Sequence, residues 1–420
     1  MITIGRGGVI QPVCKRSASG SVFTDRMEMG GCLKVACGLV VSSLVLAGCG
    51  TTVEGAAAAP SSTPRRADTG NYPTTPQSFT RSDGERNVQA DLDLLDVVVN
   101  PAEIDPVLNY ANPDFGTAPT LDSDSISKIL PPVVGRIVAP RYGTSVSRQN
   151  KPASGDRAAQ IGVVQYAGVA ETAAVAESIK KIRQSAAAQW DGLPGFPDAI
   201  ATGATDQPGS KFPALTQWVV PYKSFLIFVT AGVPSGERQD LAGRIVAAQA
   251  KRLDSYSTTY AALELGVPTD RDGIMSLTMQ PSSNPDRDRK DITSGYLTPY
   301  ASLNKAHDWA RFKAMYDKAG VDLVGSRQGS EGTTVYRTRD AVAASAMVSE
   351  VMVSARFGAN QVQVPEVPGA VCSGSEIRGH RVFTCAVANG RYVALSGIGL
   401  QRDAAFQQIA AQYAILGHGK

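Results

Sequence analysis

The stretch Thr216-Gln-Trp-Val-Val-Pro-Tyr-Lys-Ser-Phe225 matches a second stretch later in the chain, Phe383-Thr-Cys-Ala-Val-Ala-Asn-Gly-Arg-Tyr392. In each stretch, strand-like apolar runs stand on either side of a short polar turn. The turn of the second stretch contains Asn389-Gly390, which is a strong signal for a type I′ hairpin. The two stretches therefore predict equivalent hairpins in two related parts of the chain.

The elements predicted around the two hairpins follow one another in the same order. The first set is a strand at 160–166, a helix at 170–188, strands at 214–220 and 224–230, and a helix at 235–260 with Ser235 as N-cap. The second set is a strand at 333–337, a helix at 339–357, two cysteine-bearing strands, a strand at 391–396 and a helix at 402–416. Tyr166 aligns with Tyr336. We infer two copies of a strand–helix–strand–strand–helix module, with chance similarity of two unrelated domains as the alternative, because identities are few.

The predicted fold class is α+β, with two related modules that each have an antiparallel sheet covered by helices on one face. A helix at 87–99 begins the first module. An entry strand at 274–279, a helix at 300–319 and a strand at 321–327 begin the second. The predicted domains are residues 87–268 and 269–420, each of ordinary domain size.

The chain begins with a predicted export signal. Lys34 precedes an apolar run that ends in Leu46-Ala47-Gly48-Cys49, and this run is shorter than the roughly 20 residues that span a bilayer. The ending resembles the lipobox of bacterial lipoproteins, in which the cysteine receives a diacylglycerol and becomes the first residue. An ordinary apolar segment that happens to contain cysteine is the alternative. Residues 1–48 are thus predicted to be removed, and Met27 or Met29 would make a more usual start.

Residues 49–86 are rich in Ser, Thr, Pro and Ala and offer few side chains for a core. This composition is typical of a disordered, flexible tether. We predict that residues 49–86 hold the domains away from the membrane.

The overall charge excludes a generally basic, nucleic-acid-binding protein. The 420 residues have a formal net charge of +3, but residues 1–48 hold five of the 41 Lys and Arg and two of the 38 Asp and Glu. The remaining chain is formally neutral. No nucleic-acid partner is therefore predicted.

Cysteine usage predicts a disulfide in the second module. Three of the six cysteines, Cys14, Cys32 and Cys37, fall in the predicted presequence, and Cys49 is the predicted lipidation site. This leaves Cys372 and Cys385 as an even pair in an oxidising compartment. His380 lies between them, but one histidine and two cysteines make an incomplete zinc set, so no metal site is predicted.

No catalytic or cofactor-binding motif is found in the sequence. There is no nucleophile elbow, P-loop, His-Glu-x-x-His or EF-hand spacing, and Gly397-Ile-Gly399 lacks the third glycine of a dinucleotide loop. His307 and His418 are scattered, with a surface pair between His307 and Asp308 expected. Trp190, Trp218 and Trp309 are expected in cores more than in a binding groove. No cofactor is predicted.

The lipobox followed by this double module resembles a group of actinomycete cell-envelope lipoproteins of unknown function. The resemblance rests on the lipobox and on three further segments, namely 98–106 (Val-Val-Asn-Pro-Ala-Glu-Ile-Asp-Pro), 319–323 (Ala-Gly-Val-Asp-Leu) and the end of the chain from Asn389-Gly390 to Leu416. The family implies no catalytic residues.

These observations favour a non-enzymatic ligand-binding or interaction module, anchored to the extracytoplasmic face of the cell membrane through the acylated Cys49. An envelope lipid, glycan or protein is the expected ligand, and the interface between the two copies is the expected cleft. One alternative is a hydrolase of envelope polymers that uses carboxylates such as Glu171 or Asp340. The other is a structural surface protein without a ligand.

Overall fold

The computed structural model contains both hairpins, each within an antiparallel sheet. It describes residues 66–80, 86–112, 140–153, 155–184, 192–205, 215–256, 268–279, 294–327, 332–354, 360–377, 380–396 and 401–419. These all belong to one compact unit that begins at Thr63. The presequence, Cys49 and the predicted tether as far as residue 65 lie outside the described residues.

The first module is built on a six-stranded sheet with the strand order β1-β2-β3-β6-β5-β4. The strands are β1 (Tyr110–Ala111), β2 (Tyr142–Gln149), β3 (Ala158–Gln165), β4 (Ile200–Thr205), β5 (Leu215–Tyr222) and β6 (Phe225–Gly232). The helices of this part are α1 (Arg86–Leu94), α2 (Pro101–Ile104), α3 (Val169–Gln184) and α4 (Arg238–Ser255), the last preceded by a 3-10 turn at Ser235–Glu237.

The second module is built on a seven-stranded sheet with the order β10-β11-β12-β13-β9-β8-β7. The strands are β7 (Gly295–Leu297), β8 (Leu323–Ser326), β9 (Thr333–Arg337), β10 (Gln361–Gln363), β11 (Val371–Ile377), β12 (His380–Asn389) and β13 (Tyr392–Ser396). The helices are α5 (Pro299–Lys305), α6 (Trp309–Ala319), α7 (Ala341–Ser354) and α8 (Arg402–Leu416).

The two sheets share one topology, which confirms the predicted α+β class with two modules. Strands β2-β3-β6-β5-β4 of the first module correspond in order and connection to β8-β9-β13-β12-β11 of the second. One detail of the predicted alignment is wrong. Gln165 pairs with Phe225 and Arg337 with Tyr392, so Tyr166 corresponds to Thr338, two residues beyond Tyr336. The equivalent positions are thus defined by strand pairing with the two hairpins, and the shared residue type of Tyr166 and Tyr336 does not define them.

Helices cover both faces of the first sheet, whereas a single covered face was predicted. Side chains alternate between the faces of a strand. Accordingly, Val219 and Phe228 pack with Val175 of α3, while Val220 and Ile227 pack in a second cluster with Ile245 of α4. The sheet of the first module is therefore the middle layer of three.

Residues 66–80, here called the N-terminal strap, pack against α8 of the second module. Tyr72 and Phe79 are partly buried against the same apolar cluster as Ile409 and Ile415 of α8. α8 has only two charged residues, at its first two positions, so its outer side also needs a cover. The prediction of a flexible tether therefore does not hold for residues 66–80.

The entry strand predicted at 274–279 is absent, and this segment forms consecutive turns. The carboxylate of Asp270 accepts the backbone N–H groups of Met275 at 2.7 Å and Ser276 at 3.0 Å. Asp272 and Gly273 both have positive φ, 53° and 74°. Local bonds from an aspartate to the following backbone compete with strand formation, which the apolar side chains alone did not reveal.

The helix predicted at 300–319 is two helices, α5 and α6, with a break at Ala306–Asp308. Asp308 caps α6 by accepting the N–H of Arg311 at 3.1 Å, and the carbonyl of His307 accepts the N–H of Ala111 in β1 at 2.8 Å. His307 is thus in the break and not within a helix as predicted. Hydrogen bonds with β1, which is distant in sequence, therefore take the place of the bonds of a continuous helix.

The N-cap predicted at Ser235 is also wrong. Ser235 begins the 3-10 turn, and no side chain caps either this turn or α4. Arg238 instead reaches back, and its Nε donates to the carbonyl of Val233 at 2.8 Å.

Candidate functional site

The interface between the modules, where a ligand cleft was expected, is filled by a shared apolar core. One cluster contains Leu92 of α1, Ile227 and Ile245 of the first module, and Met347 and Val393 of the second. All five side chains are essentially inaccessible to solvent. Within the described part of the chain, this interface is therefore packed protein and not an open cleft.

Arg148 of β2 crosses this interface as a fully buried cation. Its Nη1 donates to the carbonyl of Ala306 at 2.5 Å, and its Nη2 donates to those of Leu303 and Asn304 at 2.9 and 3.1 Å. These carbonyls end α5, where the helix dipole favours a positive charge. Burial lowers the pKa of Arg148 to about 10, which leaves it charged at neutral pH. The residue joins the first module to the second.

A second set of polar contacts, in addition to those of Arg148, joins the two modules. Asn100 caps α2, and its side-chain amide donates to Oδ1 of Asn304 at 2.8 Å. Arg252 of α4 pairs with Glu103 at 2.8 Å, and the hydroxyl of Tyr300 bonds to both of these side chains. Burial is the main cause that raises the pKa of Tyr300. These contacts hold α2, α4 and α5 together and leave no free groups for chemistry.

A surface groove of about 210 Å³ is present on the outer side of the second module. It lies between the strap, the turn that follows β10 and one side of α8. Its lining residues are Asp68, Val364, Pro365, Glu366, Asp403, Phe406, Gln407 and Ala410. We call it the acidic groove, because three of these residues are acids and none is basic.

The carboxylates of the acidic groove are not neutralised by salt bridges. Lys and Arg partners within 4.0 Å are found for many other exposed acids, such as Asp156 and Asp254. In the described residues, Asp68, Glu366 and Asp403 have no such partner. Asp68 accepts Nε2 of Gln407 at 2.8 Å and the N–H of Gly70 at 2.9 Å, and these bonds, the first foremost, lower its pKa. The groove therefore presents negative charge at neutral pH.

The floor of the acidic groove is apolar. Val364 and Ala410 are buried, and the ring of Phe406 is partly buried against the core under α8. The guanidinium carbon of Arg402 lies 5.0 Å from the centre of the Phe406 ring, which is a cation–π distance. An aromatic and aliphatic floor with acidic walls suits a cationic group on an apolar stem.

Of the residues chosen from the sequence, only the cysteine pair is brought together. Cys372 and Cys385 face each other across β11 and β12 and are joined by a disulfide, with both side chains fully buried under α8. Glu171 lies in the first turn of α3 in the first module, whereas Asp340 caps α7 of the second by accepting the N–H of Ala343 at 2.8 Å. The two acids proposed for hydrolysis therefore have separate surroundings.

The aromatic and histidine candidates do not form a site either. Trp218 and Trp309 are buried in the shared core, as expected. Trp190 lies outside the described residues. His418 is exposed, and Asp308 caps α6 by accepting the N–H of Arg311. Among the residues that the structure describes, no group of three or more His, Cys, Asp or Glu is placed to hold a metal ion.

The groove residues were missed because they come from three distant segments. Asp68 was assigned to the tether and Asp403 to the start of a helix, whereas Glu366 fell between two predicted elements and was assigned to neither. A signal was present in α8, where Asp403 is followed by Phe406 and Gln407 and has no basic residue three or four positions later. The same described segments contain no helix long and apolar enough to cross a membrane.

The fold and the groove define a class of two-module α+β proteins whose duplicated sheets share one core. Residues 81–269 match the family model described as domain of unknown function (DUF7373) N-terminal, and residues 265–419 match its C-terminal counterpart. The chain belongs to this two-domain family. No curated protein and no solved structure gives a significant match.

Proposed function

We propose that this protein is a membrane-anchored, extracytoplasmic lipoprotein that works as a non-enzymatic binding module of the cell envelope. The observation that carries the proposal is the acidic groove, which is lined by Phe406 and by Asp68, Glu366 and Asp403, three acids that have no Lys or Arg partner among the described residues. Unpaired charge beside exposed apolar surface is typical of a binding site.

A hydrolytic role has less support. Glycosidases and related hydrolases need a carboxyl group whose pKa is raised toward neutrality, so that it can donate a proton. The pKa of Asp68 is lowered instead. Glu171 lies in the first turn of α3 and Asp340 caps α7 in the other module, so their positions lend no support to joint catalysis by these two carboxylates.

The proposed anchor is a diacylglycerol on Cys49, with an added acyl chain such as palmitate on the mature terminus. Two features support it, namely the Leu46-Ala47-Gly48-Cys49 ending and the position of the strap. Sixteen residues separate Cys49 from Arg66, where the strap begins, and a fully extended chain of that length reaches about 60 Å. Asp68 forms one wall of the groove, so an anchored protein would hold the groove within that distance of the membrane.

The anchor is tested by Cys49→Ala in the producing cell. The expected result is an uncleaved precursor or release of the protein from the membrane fraction, because no thiol remains to be acylated. Cys372→Ala is the matched control, since it also removes a cysteine but leaves the lipobox. Normal processing and full membrane retention of Cys49→Ala would refute the anchor.

Export is tested separately through the cysteine pair. Alkylation without reductant should leave Cys372 and Cys385 unmodified, while alkylation after reduction and unfolding should modify both. Two free thiols in the mature protein would contradict an oxidising location.

Binding is tested by native mass spectrometry of the lipidated protein extracted from membranes. The expected result is a retained non-covalent ligand whose occupancy falls at least tenfold in the double variant Glu366→Gln, Asp403→Asn. Asp198→Asn, which removes an exposed acid of the first module, should retain the ligand. Equal occupancy in all three proteins, or no ligand in any, would refute the groove as the binding site.

A further inference from the structure

We infer that strand β10 and the acidic groove together form a docking site for an extended peptide segment that carries a Lys or Arg side chain. The inference rests on the proposed function, since it assigns a partner class to the same groove. It combines two separate features of the second module, a free sheet edge and an adjoining charged groove.

The first feature is the outer edge of β10. This strand is the last of the seven-stranded sheet, and Gln361, Val362 and Gln363 are all exposed. Edge strands are commonly protected from added strands by charged side chains or by proline. The three residues of β10 include neither, and among the described strands only β11 pairs with it, so its outer edge can accept an extended peptide by β-augmentation.

The register of β10 defines which backbone groups are available. The N–H of Val364 points inward and donates to the carbonyl of Ala370 at 3.1 Å. Because backbone groups alternate in direction along an antiparallel strand, those of Gln361 and Gln363 point away from β11. A peptide added to this edge would bond to these two residues.

The second feature is the groove on one face of the same edge. Val362 lies opposite Cys372, whose side chain is packed under α8, so Val362 faces the α8 side of the sheet. Val364, two residues on, faces the same way and lines the groove. A peptide on the β10 edge therefore turns every second side chain toward the α8 side, next to the groove.

Charge complementarity selects the side chain that fits there. Within the described segments, Asp68, Glu366 and Asp403 have no Lys or Arg partner, and Arg402 lies at the Phe406 ring. The stem of a Lys or Arg would lie on Val364 and Phe406 while its charge meets the carboxylates. An acidic peptide would be repelled, and the attraction should weaken as salt is raised.

The inference is tested by fluorescence anisotropy with the full-length lipoprotein in detergent. The probe is a labelled six-residue peptide that alternates Lys with Val and has blocked termini. The matched probe replaces each Lys with Glu. We expect saturable binding of the Lys peptide, at least tenfold weaker binding of the Glu peptide, and weaker binding of the Lys peptide at 0.5 M NaCl.

Two variants separate the features of the site. Gln363→Pro removes an N–H that points outward but no bond to β11, and should weaken binding of the Lys peptide at least fivefold. Gln363→Ala keeps that N–H and should bind like the native protein. The double variant Glu366→Gln, Asp403→Asn should weaken binding at least tenfold, whereas Asp198→Asn should not.

The outcomes distinguish this inference from the proposed function. Absence of binding by the Lys peptide, or equal binding by the Lys and Glu peptides, would overturn the inference. Native mass spectrometry could still show a small ligand whose occupancy falls in the double variant Glu366→Gln, Asp403→Asn. In that case the proposed function would stand although the peptide-docking inference had failed. Unchanged binding by Gln363→Pro, with the fold intact by circular dichroism, would also overturn the inference.

Discussion

Lys223 and Gly390 occupy the same position in two equivalent hairpins, with φ angles of 54° and 56°. Each is the first residue of a two-residue turn, closed by the pairs Tyr222–Phe225 and Asn389–Tyr392. The second turn residue does not have positive φ in either hairpin, which is the type II′ pattern and not the type I′ predicted from Asn389-Gly390. The second module has glycine at this position, which tolerates positive φ, whereas the first module has lysine, which does not.

Glycine and alanine at these two positions are therefore expected to differ in the free energy of unfolding, with glycine the more stable choice in both hairpins. Lys223→Gly should be more stable than Lys223→Ala by about 1 kcal/mol, because both lose the same exposed ion pair with Asp254 and only Ala keeps a Cβ at positive φ. Gly390→Ala should lower the free energy of unfolding by about 1 kcal/mol, although no atom lies within 4 Å of the new Cβ. Urea unfolding of the variants measures both.

Gly236→Ala serves as the control for these two hairpins. Gly236 also has open space around its Cβ position but does not have positive φ. Its substitution should be neutral or slightly stabilising. If Gly390→Ala proved as harmless as Gly236→Ala, the backbone explanation would be wrong.

The buried guanidinium of Arg148 predicts that the two modules depend on each other. Arg148→Met keeps most of the buried volume but leaves the last carbonyls of α5 without their donor, and should lower the free energy of unfolding by about 3 kcal/mol. Arg148→Lys should recover part of this loss, since one ammonium cannot reach all three carbonyls. The measurement is the urea midpoint, with exposed Arg244→Met as the control. A loss below 1 kcal/mol for Arg148→Met would contradict the role assigned to it.

Asp93 on α1 predicts a pH dependence of stability. Burial raises its pKa to about 6, the hydrogen bond from Gln89 partly offsets this, and the charge of Asp96 adds to it while that of Arg271 opposes it. A raised carboxyl pKa means that the folded protein holds the proton more tightly than the unfolded chain. This contribution is complete below about pH 4 and is lost as the pH rises through about 6.

The measurement is urea unfolding at pH 4, 5, 6 and 7. Asp93→Asn should lose less stability over this range than the native protein does, because the amide cannot ionise. Exposed Asp198→Asn should follow the native protein. Parallel curves for native protein and Asp93→Asn would show that Asp93 does not titrate in this range.

Phe79 predicts how firmly the strap is held. The guanidinium carbon of Arg327 lies 4.7 Å from the centre of its ring, and the hydroxyl of Thr269 donates to its carbonyl at 3.4 Å. Phe79→Ala should cost about 1–2 kcal/mol and speed the first cut by proteinase K within residues 66–80. Phe79→Tyr keeps an aromatic face and should resist cleavage. Equal cleavage rates would mean that the strap is held by other contacts.

Many of the regular elements were predicted because their signals are local, although β2 (Tyr142–Gln149) and β4 (Ile200–Thr205) were not predicted. The alternating strands and the amphipathic α4 were located to within a few residues, and α8 was predicted at its observed bounds, 402–416. Errors occurred where a distant partner or a competing side-chain hydrogen bond decides the conformation. The break between α5 and α6 depends on Ala111, and the turns after Asp270 depend on a side chain that competes with the strand ladder.

The groove could not be predicted because no local pattern joins its parts. Asp68, Glu366 and Asp403 come together only when the strap crosses α8, and the strap itself was assigned to a disordered tether from its composition. A further clue was that α8 has no charged residue after Asp403, which indicates that its outer side is also covered. Composition described what the strap is made of but not what it packs against.

The sequence by itself determined the module order, the duplication, the α+β class and the even cysteine pair, because these depend on periodicity and spacing along the chain. Only the tertiary structure decided that the hairpins of Lys223 and Gly390 belong to sheets sharing one core, that this core closes the expected cleft, and that the acids gather on the outer face of the second module. Such features depend on contacts between residues hundreds of positions apart, for which no local rule exists.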